Sequence, residues 1–130
     1  MIKILLIEDD LDDVELLEDT LNTNGVAYSI NVVNDGNAAI EYINACSDCP
    51  DIIILDFNLP KVHGREVIKE IKLLPAFKDI PLLILTTSSA KEDMEYAYKN
   101  GANKYLIKPV SLQQIKEMSE VIVGLAKKAN

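Results

Sequence analysis

The sequence predicts an open, doubly wound α/β fold in which five parallel strands alternate with five helices, written (βα)5. Five short β-like runs are separated by segments whose apolar residues recur at helical spacing. The first, third and fourth runs are almost wholly apolar, as strands are when helices cover both faces of a parallel sheet. Right-handed crossovers between such strands place the helices on both faces of one sheet.

The strands are predicted from runs of aliphatic and β-branched residues. In chain order we expect them at residues 2–7, 27–33, 52–55, 82–85 and 105–107. The second run, AYSINVV, mixes polar and apolar residues, which indicates a strand at an edge of the sheet.

The helices are predicted from apolar residues three or four positions apart. Helix by helix, these residues are Leu11, Val14, Leu17 and Leu21; Ala39, Ile40 and Ile43; Val67, Ile71 and Leu74; Met94, Ala97 and Tyr98; and Ile115, Met118, Ile122 and Leu125. Gly25 and Gly101 are placed to end the first and fourth helices, and Pro75 to stop the third. Capping boxes at residues 89–92 and 111–114 predict the starts of the fourth and fifth helices.

Length, composition and charge restrict the classes of protein to which the chain can belong. Its 130 residues suit one domain, and everything after Asn103 falls in the fifth βα unit, so we expect residues 1–130 to form a single domain with no output domain. The 13 Lys and Arg residues against 21 Asp and Glu give a net charge of −8, which disfavours nucleic-acid binding. No apolar run reaches the length of a membrane span, and the start lacks a signal-peptide pattern, which predicts a cytoplasmic protein with no membrane partner.

The two cysteines, Cys46 and Cys49, form a lone CxxC in a polar stretch that ends at Pro50. A zinc site would need two further ligands, and His63, the only histidine, supplies one at most. A redox motif of the thioredoxin type follows a strand and opens a helix, which this motif does not. We therefore expect ordinary reduced cysteines in a loop, with a redox or metal role as the alternative.

Polar side chains follow four of the predicted strands at their carboxyl ends, which is where open α/β sheets bind ligands. Glu8 and Asp9 follow the first strand, Asp56 the third, Thr86 the fourth and Lys108 the fifth. Carboxylates brought together in one crevice repel each other and take up protons or a cation, and Mg²⁺ prefers oxygen ligands. A lysine and a hydroxyl opposite them suit a phosphoryl group, and an aspartate beside Mg²⁺ can attack phosphorus.

Each of these residues also has a purely structural interpretation. Asp10, Asp12 and Asp13 are interpreted as acids that favour a helix N-terminus through its dipole. Asp56 alone could cap a turn, and Lys108 alone could be a solvated strand end. The combination of an acidic pair, an acid, a hydroxyl and a lysine on strands one, three, four and five favours a functional site over separate structural roles.

The motifs LLIEDD, DIIILDFNLP followed by HG, LILTTS and GANKYLIKPV resemble the receiver domain of two-component response regulators. The resemblance runs from Ile4 to about Leu125, nearly the whole chain. It implies a flavodoxin-like sheet with strand order 2-1-3-4-5. The LTTSSAKED segment and the FNLP turn look like those of the stand-alone receivers that serve phytochrome-type and related hybrid kinases.

The resemblance also implies a chemical role for each residue of the predicted site. Asp56 would be the phosphoacceptor and a ligand of Mg²⁺, the expected cofactor. Asp9 would bind the metal directly, Glu8 would usually act through water, and Asn58 would offer its backbone carbonyl. Lys108 would contact the phosphoryl group.

Conformational roles follow from the same resemblance. Thr86 would be the switch hydroxyl, and Tyr105 the aromatic residue that turns inward as Thr86 moves toward the phosphate. Gly64 would be the turn glycine after the acceptor loop. Lys108 and Pro109 would be joined by a cis peptide bond.

These roles predict a signalling protein rather than an enzyme, with chemistry only on its own side chain. It would accept a phosphoryl group from a sensor or hybrid histidine kinase, or from a phosphotransfer protein, and later hydrolyse it. The signal would pass to an unidentified protein through a changed face formed by helix 4, strand 5 and helix 5. Val121 and Val123 lie beyond the core stripe of the last helix and leave open a homodimer on that face.

Three alternative functions use the same fold or the same nucleophile. A degenerate receiver would act as a phosphorylation-independent interaction module, and the complete set of acids, hydroxyl and lysine counts against it. A flavin-binding protein of this topology needs a Ser-, Thr- or Gly-rich loop after strand one, where Glu8 and its acidic neighbours would repel phosphate. A haloacid-dehalogenase-like phosphatase needs a second Asp two residues after its nucleophile, where this chain has Asn58.

Overall fold

The computed structural model describes residues 1–45, 48–59 and 63–128, in which strands and helices alternate as the sequence predicts. The strands are β1 (Ile2–Ile7), β2 (Tyr28–Val33), β3 (Ile52–Leu55), β4 (Leu82–Thr86) and β5 (Lys104–Ile107). The helices are α1 (Leu11–Thr23), α2 (Gly36–Ala45), α3 (Gly64–Leu73), α4 (Lys91–Lys99) and α5 (Leu112–Lys128). The strands form one parallel sheet in the order β2-β1-β3-β4-β5. This order confirms the predicted fold class and places β2 at an edge, as its mixed composition predicted.

Side chains alternate along the central strands between two apolar layers. Leu5 and Ile7 of β1 face the layer built with α2, α3 and α4, whereas Ile4 and Leu6 face the layer built with α1 and α5. Strand β3 (Ile52–Leu55) is completely buried between the two layers, which explains its continuous apolar sequence. Most of the predicted apolar helix residues lie in these layers, but Leu11 and Tyr98 are exposed. No helix in the described ranges is long and apolar enough to cross a membrane.

Of the four predicted helix ends that rest on glycine or serine, the two at glycine are found as expected and the one at Ser111 is found in part. Gly25 (φ 69°) and Gly101 (φ 103°) adopt the left-handed backbone conformation just after α1 and α4. At the start of α5, Ser111 Oγ accepts a hydrogen bond from the Gln114 N–H at 3.2 Å. The second hydrogen bond of a capping box would run from the Ser111 N–H to the Gln114 side chain. Gln114 Oε1 instead accepts from the Val110 N–H at 2.8 Å.

The predicted start of α4 is wrong. The helix begins at Lys91 with Ala90 as its N-cap and no side-chain cap, so Ser89 does not form the predicted capping box. The hydroxyl of the preceding residue, Ser88, makes the hydrogen bonds at this helix start. Ser88 Oγ accepts from the Ala90 N–H at 3.3 Å and donates to Asp93 Oδ2 at 2.6 Å, which ties the loop to the first turn of α4.

Candidate functional site

Four strand ends bring the predicted site residues together at the carboxyl edge of the sheet. Strands β1, β3, β4 and β5 are neighbours and parallel, so the residues at their ends meet in one place. Glu8, Asp56 and Thr86 are 3 %, 4 % and 0 % exposed there. Lys108 reaches the two acids from the end of β5. A buried group of acids, a hydroxyl and a lysine therefore forms at the edge that the sequence predicts.

The ammonium group of Lys108 is the centre of this group. Its Nζ lies 3.0 Å from Asp56 Oδ2 and 2.9 Å from Glu8 Oε1. A third carboxylate, that of Asp13 in α1, lies 2.6 Å from the same nitrogen. Burial disfavours the charged ammonium, but hydrogen bonds to the three carboxylates outweigh burial and raise the pKa of Lys108. Lys108 is therefore cationic throughout the physiological pH range.

Asp56 is held as a carboxylate by its neighbours. Its Oδ1 accepts a hydrogen bond from the backbone N–H of Asn58 at 3.0 Å, and its Oδ2 accepts one from Lys108 at 3.0 Å. Burial opposes ionisation, but these hydrogen bonds and a further one from Thr86 together keep the pKa of Asp56 below its ordinary value. An ionised oxygen is what a nucleophile at this position requires.

Glu8 has the opposite behaviour although it lies in the same cluster. The pKa of Glu8 is raised to about 7, chiefly by burial. The negative charge of Asp56 also raises this pKa, whereas the ion pair with Lys108 lowers it. Its Oε2 accepts from the backbone N–H groups of Asp9 and Asp10 at 3.1 and 3.3 Å. The two buried carboxylates thus have their pKa values moved apart, with one ionised and the other exchanging its proton near neutral pH.

Three carboxylates at this edge are arranged as metal ligands. Oxygen atoms of Glu8, Asp9 and Asp56 all lie within 4.8 Å of one another, and we call these residues the acidic triad. Hard carboxylate oxygens are the ligands that Mg²⁺ and Mn²⁺ prefer, so the donor set fits such an ion. Asp9 is exposed, which gives the group access to solvent. Asn58, predicted to add its backbone carbonyl, lies exposed two residues beyond Asp56.

Thr86 and Tyr105 lie at opposite ends of a hydrogen-bonded path through Ser88. Thr86 Oγ1 accepts from the Ser88 N–H at 3.4 Å, and the Tyr105 hydroxyl donates to the Ser88 carbonyl at 2.8 Å. Tyr105 is 6 % exposed, and its ring meets the ring of Phe57 edge-on, with centroids 6.1 Å apart. In this structure the predicted switch tyrosine therefore points inward.

The start of α3 is shaped by Gly64 and His63. A Cβ atom at Gly64 would lie 2.5 Å from Phe57 Cα and 2.8 Å from the Asp56 carbonyl oxygen, so only glycine fits there without displacement. The predicted turn glycine thus lets α3 approach the loop that carries Asp56. His63 caps the helix, because its Nδ1 accepts from the Arg65 N–H at 3.0 Å.

Two sequence expectations need correction at this site. The Lys108–Pro109 peptide bond is trans, since the described residues contain no cis peptide bond, and the expectation of a cis bond is wrong. Trans is the lower-energy isomer of a bond before proline, and the lysine reaches its carboxylate partners from it. The interpretation of Asp13 as a helix acid alone is incomplete, because its carboxylate also forms an ion pair with Lys108, 95 positions along the chain. Nothing in the sequence around Asp13 signals this pair.

The cysteines are described only in part. Cys46 lies outside the described residues, so the predicted CxxC pair is not described as a unit. Cys49 is exposed, and its Sγ lies 3.7 Å from the Ala76 carbonyl oxygen. The expectation of ordinary loop cysteines stays a prediction.

Comparison with known proteins shows the same family that the sequence motifs resemble. The family model for the response regulator receiver domain matches residues 4–120. Response regulator Rcp1 of Synechocystis sp. is 36 % identical over 124 residues, which are 92 % of this chain and 84 % of that protein. The crystal structure of the Mn²⁺-bound form of Rcp1 matches with a TM-score of 0.83 and covers 94 % of this chain and 91 % of that chain.

Two further solved structures are similar over almost the whole length. The phosphorylated cyanobacterial phytochrome response regulator RcpA matches with a TM-score of 0.87 at 34 % identity, over 99 % of this chain and 96 % of that chain. The receiver domain of sensor histidine kinase PA1611 from Pseudomonas aeruginosa has a magnesium ion coordinated in its active-site cleft. It matches with a TM-score of 0.80 at 26 % identity, over 97 % of this chain and 98 % of that chain.

Proposed function

The chain belongs to the response regulator receiver domain family, and on that premise we propose that Asp56 accepts a phosphoryl group from a histidine kinase or a phosphotransfer protein. The observation that carries the proposal is the environment of this side chain. It is a buried carboxylate with a pKa below its ordinary value, 3.0 Å from the Lys108 ammonium. Because the similar RcpA is a phytochrome response regulator, a phytochrome-type kinase is the donor class that we favour.

The transfer is a displacement at phosphorus. An oxygen of Asp56 forms a bond to phosphorus while the bond from the donor histidine nitrogen breaks, and the electron pair returns to the imidazole ring, which takes a proton from water. Lys108 neutralises charge on the transferred oxygens, and the Thr86 hydroxyl donates to one of them. Water later attacks the same phosphorus, which restores the carboxylate and releases inorganic phosphate.

The acidic triad would hold a Mg²⁺ ion, with the backbone carbonyl of Asn58 as a further ligand. When bound, the ion would supply positive charge that neutralises oxygens of the phosphoryl group. The Mn²⁺-bound and Mg²⁺-bound relatives support a divalent cation at this place. Every proposed ligand is a hard oxygen, the kind of donor that Mg²⁺ takes, and we propose Mg²⁺ as the ion.

The face formed by α4, β5 and α5 would carry the signal. Thr86, drawn toward the new phosphoryl group, would pull on Ser88, whose carbonyl holds Tyr105. This local change in charge biases an equilibrium between two arrangements of the loop after β4. The face exposes 48 % of Tyr98 and 43 % of Ile107, and we expect a downstream protein or a second copy of this chain to bind there.

The mass of the intact protein tests the proposal. Wild type incubated with acetyl phosphate and Mg²⁺ should gain one phosphoryl group, and EDTA should abolish the gain. Asp56→Asn should gain nothing, whereas Asp12→Asn, which changes an exposed acid of α1, should behave like wild type. No gain with acetyl phosphate, followed by none with a phosphorylated histidine kinase, would overturn the proposal in favour of a phosphorylation-independent interaction module.

A further inference from the structure

Asp13 holds the Lys108 ammonium from outside the acidic triad. It is the third residue of α1, its backbone N–H is hydrogen-bonded in the first turn, and its Oδ2 lies 2.6 Å from Lys108 Nζ. Within the described part of the chain, the carboxylates that converge as a group of metal ligands are those of Glu8, Asp9 and Asp56. The carboxylate of Asp13 therefore serves the lysine and is not part of the predicted metal site.

Lys108 and a metal ion would compete for the same oxygens. The ammonium lies 2.9 Å from Glu8 Oε1 and 3.0 Å from Asp56 Oδ2, and both carboxylates belong to the triad. A divalent cation held by these oxygens would repel the ammonium, and partly buried surroundings strengthen that repulsion. The Lys108 side chain is only 13 % exposed, so water cannot fully replace its protein partners. The lysine needs another anion when the metal arrives.

We propose that Asp13 is a positioning residue that keeps Lys108 paired while a cation occupies the acidic triad, and that it thereby raises the affinity of the triad for Mg²⁺. This inference rests on the proposed function, in which Mg²⁺ binds there. An ammonium group has three N–H donors, so Lys108 can give up its bonds to the triad and keep the one to Asp13. The pairing prevents a buried, uncompensated charge. It also leaves the lysine beside the place where phosphoryl oxygens arrive.

Isothermal titration calorimetry with MgCl₂ on the unphosphorylated chain measures this effect without any phosphodonor. Asp13→Asn should weaken Mg²⁺ binding about fivefold, because a neutral amide holds an ammonium less well than a carboxylate does. The matched control is Asp12→Asn, which removes the same charge from the neighbouring exposed position and should change the affinity by less than about twofold. Asp13→Glu restores the charge and should return the affinity to within about twofold of wild type.

A double-mutant cycle with Lys108 separates positioning from general electrostatics. In a Lys108→Met background, Asp13→Asn should weaken Mg²⁺ binding no more than Asp12→Asn does, because its partner is gone. An undiminished loss in that background would overturn the inference, because Asp13 would then act on the metal without the lysine. Equal affinities of the two Asn variants in the wild-type background would overturn it as well. A wild-type chain that binds no Mg²⁺ at all would instead overturn the proposed function itself.

Discussion

The hydroxyl of Tyr105 donates a hydrogen bond to the backbone carbonyl oxygen of Ser88, at a distance of 2.8 Å. Ser88 also bonds to Thr86 and to Asp93. Its N–H donates to Thr86 Oγ1 at 3.4 Å, and its hydroxyl donates to Asp93 Oδ2 at 2.6 Å. One residue thus joins the end of β4, the inner side of β5 and the first turn of α4. A displacement of Thr86 would therefore act on Tyr105 and on α4 together.

The Tyr105→Phe variant should separate phosphorylation from its conformational effect. It keeps the ring that packs on Phe57 and removes no hydrogen bond to Asp56, so the rate of phosphorylation by acetyl phosphate should stay close to that of wild type. Loss of the hydrogen bond to Ser88 should lower the free energy of unfolding by about 1 kcal/mol. Hydrogen exchange at residues 87–91 should respond less to phosphorylation than in wild type. A response equal to that of wild type would exclude the hydroxyl from the signalling path.

Asp93 anchors the start of α4 to α3 through Arg65. Its Oδ1 pairs with the Arg65 guanidinium, which also lies 4.9 Å from the centroid of the Tyr96 ring. Hydrogen bonds from Ser88 and Arg65 hold the pKa of Asp93 below its ordinary value, so the anchor is charged. In Asp93→Asn, amide hydrogen exchange at residues 87–91 should become roughly several-fold faster, because the loop loses its charged acceptor.

The matched control for that anchor is Glu95→Gln on the same helix. The Glu95 carboxylate pairs with Lys91 at 3.7 Å and is 66 % exposed. Exposed pairs of this kind contribute little, so exchange at residues 87–91 should stay at the wild-type rate. Equal acceleration in both variants would mean that the loop responds to the net charge of α4 and not to Arg65.

Two glycine-to-alanine substitutions should have opposite effects on stability. At Gly64 the new methyl group would meet Phe57 Cα and the Asp56 carbonyl oxygen, so Gly64→Ala should lower the free energy of unfolding by about 1–3 kcal/mol and slow phosphorylation. At Gly124 in α5, apart from the adjacent residues and the backbone of the helix itself, no atom of the described residues lies within 4 Å of such a methyl group. Gly124→Ala should stabilise the chain by up to about 1 kcal/mol through helix propensity. Chemical denaturation measures both, and a neutral Gly64→Ala would contradict the close approach of α3.

The fold and the residues that form the site could be predicted, because each strand and each strand end is recognisable from its own short stretch of sequence. The sequence IIIL of β3 is continuous because both faces of the strand are buried, and this is visible without knowledge of its neighbours. The ends of parallel strands share one edge, so Glu8, Asp56 and Lys108 could be placed together from strand assignment alone.

The contacts that the sequence did not reveal depend on side-chain geometry between distant segments. An acid in the first turn of a helix has the same sequence context whether its side chain is solvated or forms an ion pair. The hydrogen bond from Lys108 to Asp13 therefore could not be predicted from the sequence. The start of α4 is misplaced for a related reason. The sequence TTSS offers several hydroxyl groups, and only the structure shows that Ser88, and not Ser89, bonds to the helix.

Exposed apolar side chains in the segments that follow β5 and β1, at the carboxyl edge that carries Asp56, predict where the phosphodonor protein docks. Val110 and Leu112 follow β5 and are 90 % and 86 % exposed, and Leu11, the first residue of α1, is 71 % exposed. Val110→Glu should slow transfer from a phosphorylated kinase, because it places a charge in an apolar contact, and should leave acetyl phosphate chemistry unchanged. Leu73→Glu is the control, since Leu73 is 74 % exposed but ends α3 at the opposite edge of the sheet. Equal effects of the two variants on transfer would argue against docking at the carboxyl edge.

Burial of Glu8 predicts that Mg²⁺ binding depends on pH. The pKa of Glu8 rises from its ordinary 4.5 to about 7, chiefly because the side chain is buried. Below this value the metal-free chain holds a proton on Glu8 that the metal must displace, so the affinity should fall by up to about tenfold for each unit of pH. Asp56 has a pKa below its ordinary value, so it stays ionised near neutral pH and adds no dependence there.

The same shift has the opposite consequence for the stability of the metal-free chain. The unfolded chain loses the Glu8 proton near pH 4.5 while the folded chain keeps it to about 7, so the contribution of Glu8 to stability falls as the pH rises through this window. Calorimetric titration with MgCl₂ on both sides of neutral pH, in two buffers of different ionisation enthalpy, measures the affinity and the protons released. Glu8→Gln should bind Mg²⁺ more weakly and with little pH dependence, because the titrating group is gone. If the pH dependence of Glu8→Gln equals that of wild type, the displaced proton belongs to another group, and burial of Glu8 does not control metal binding.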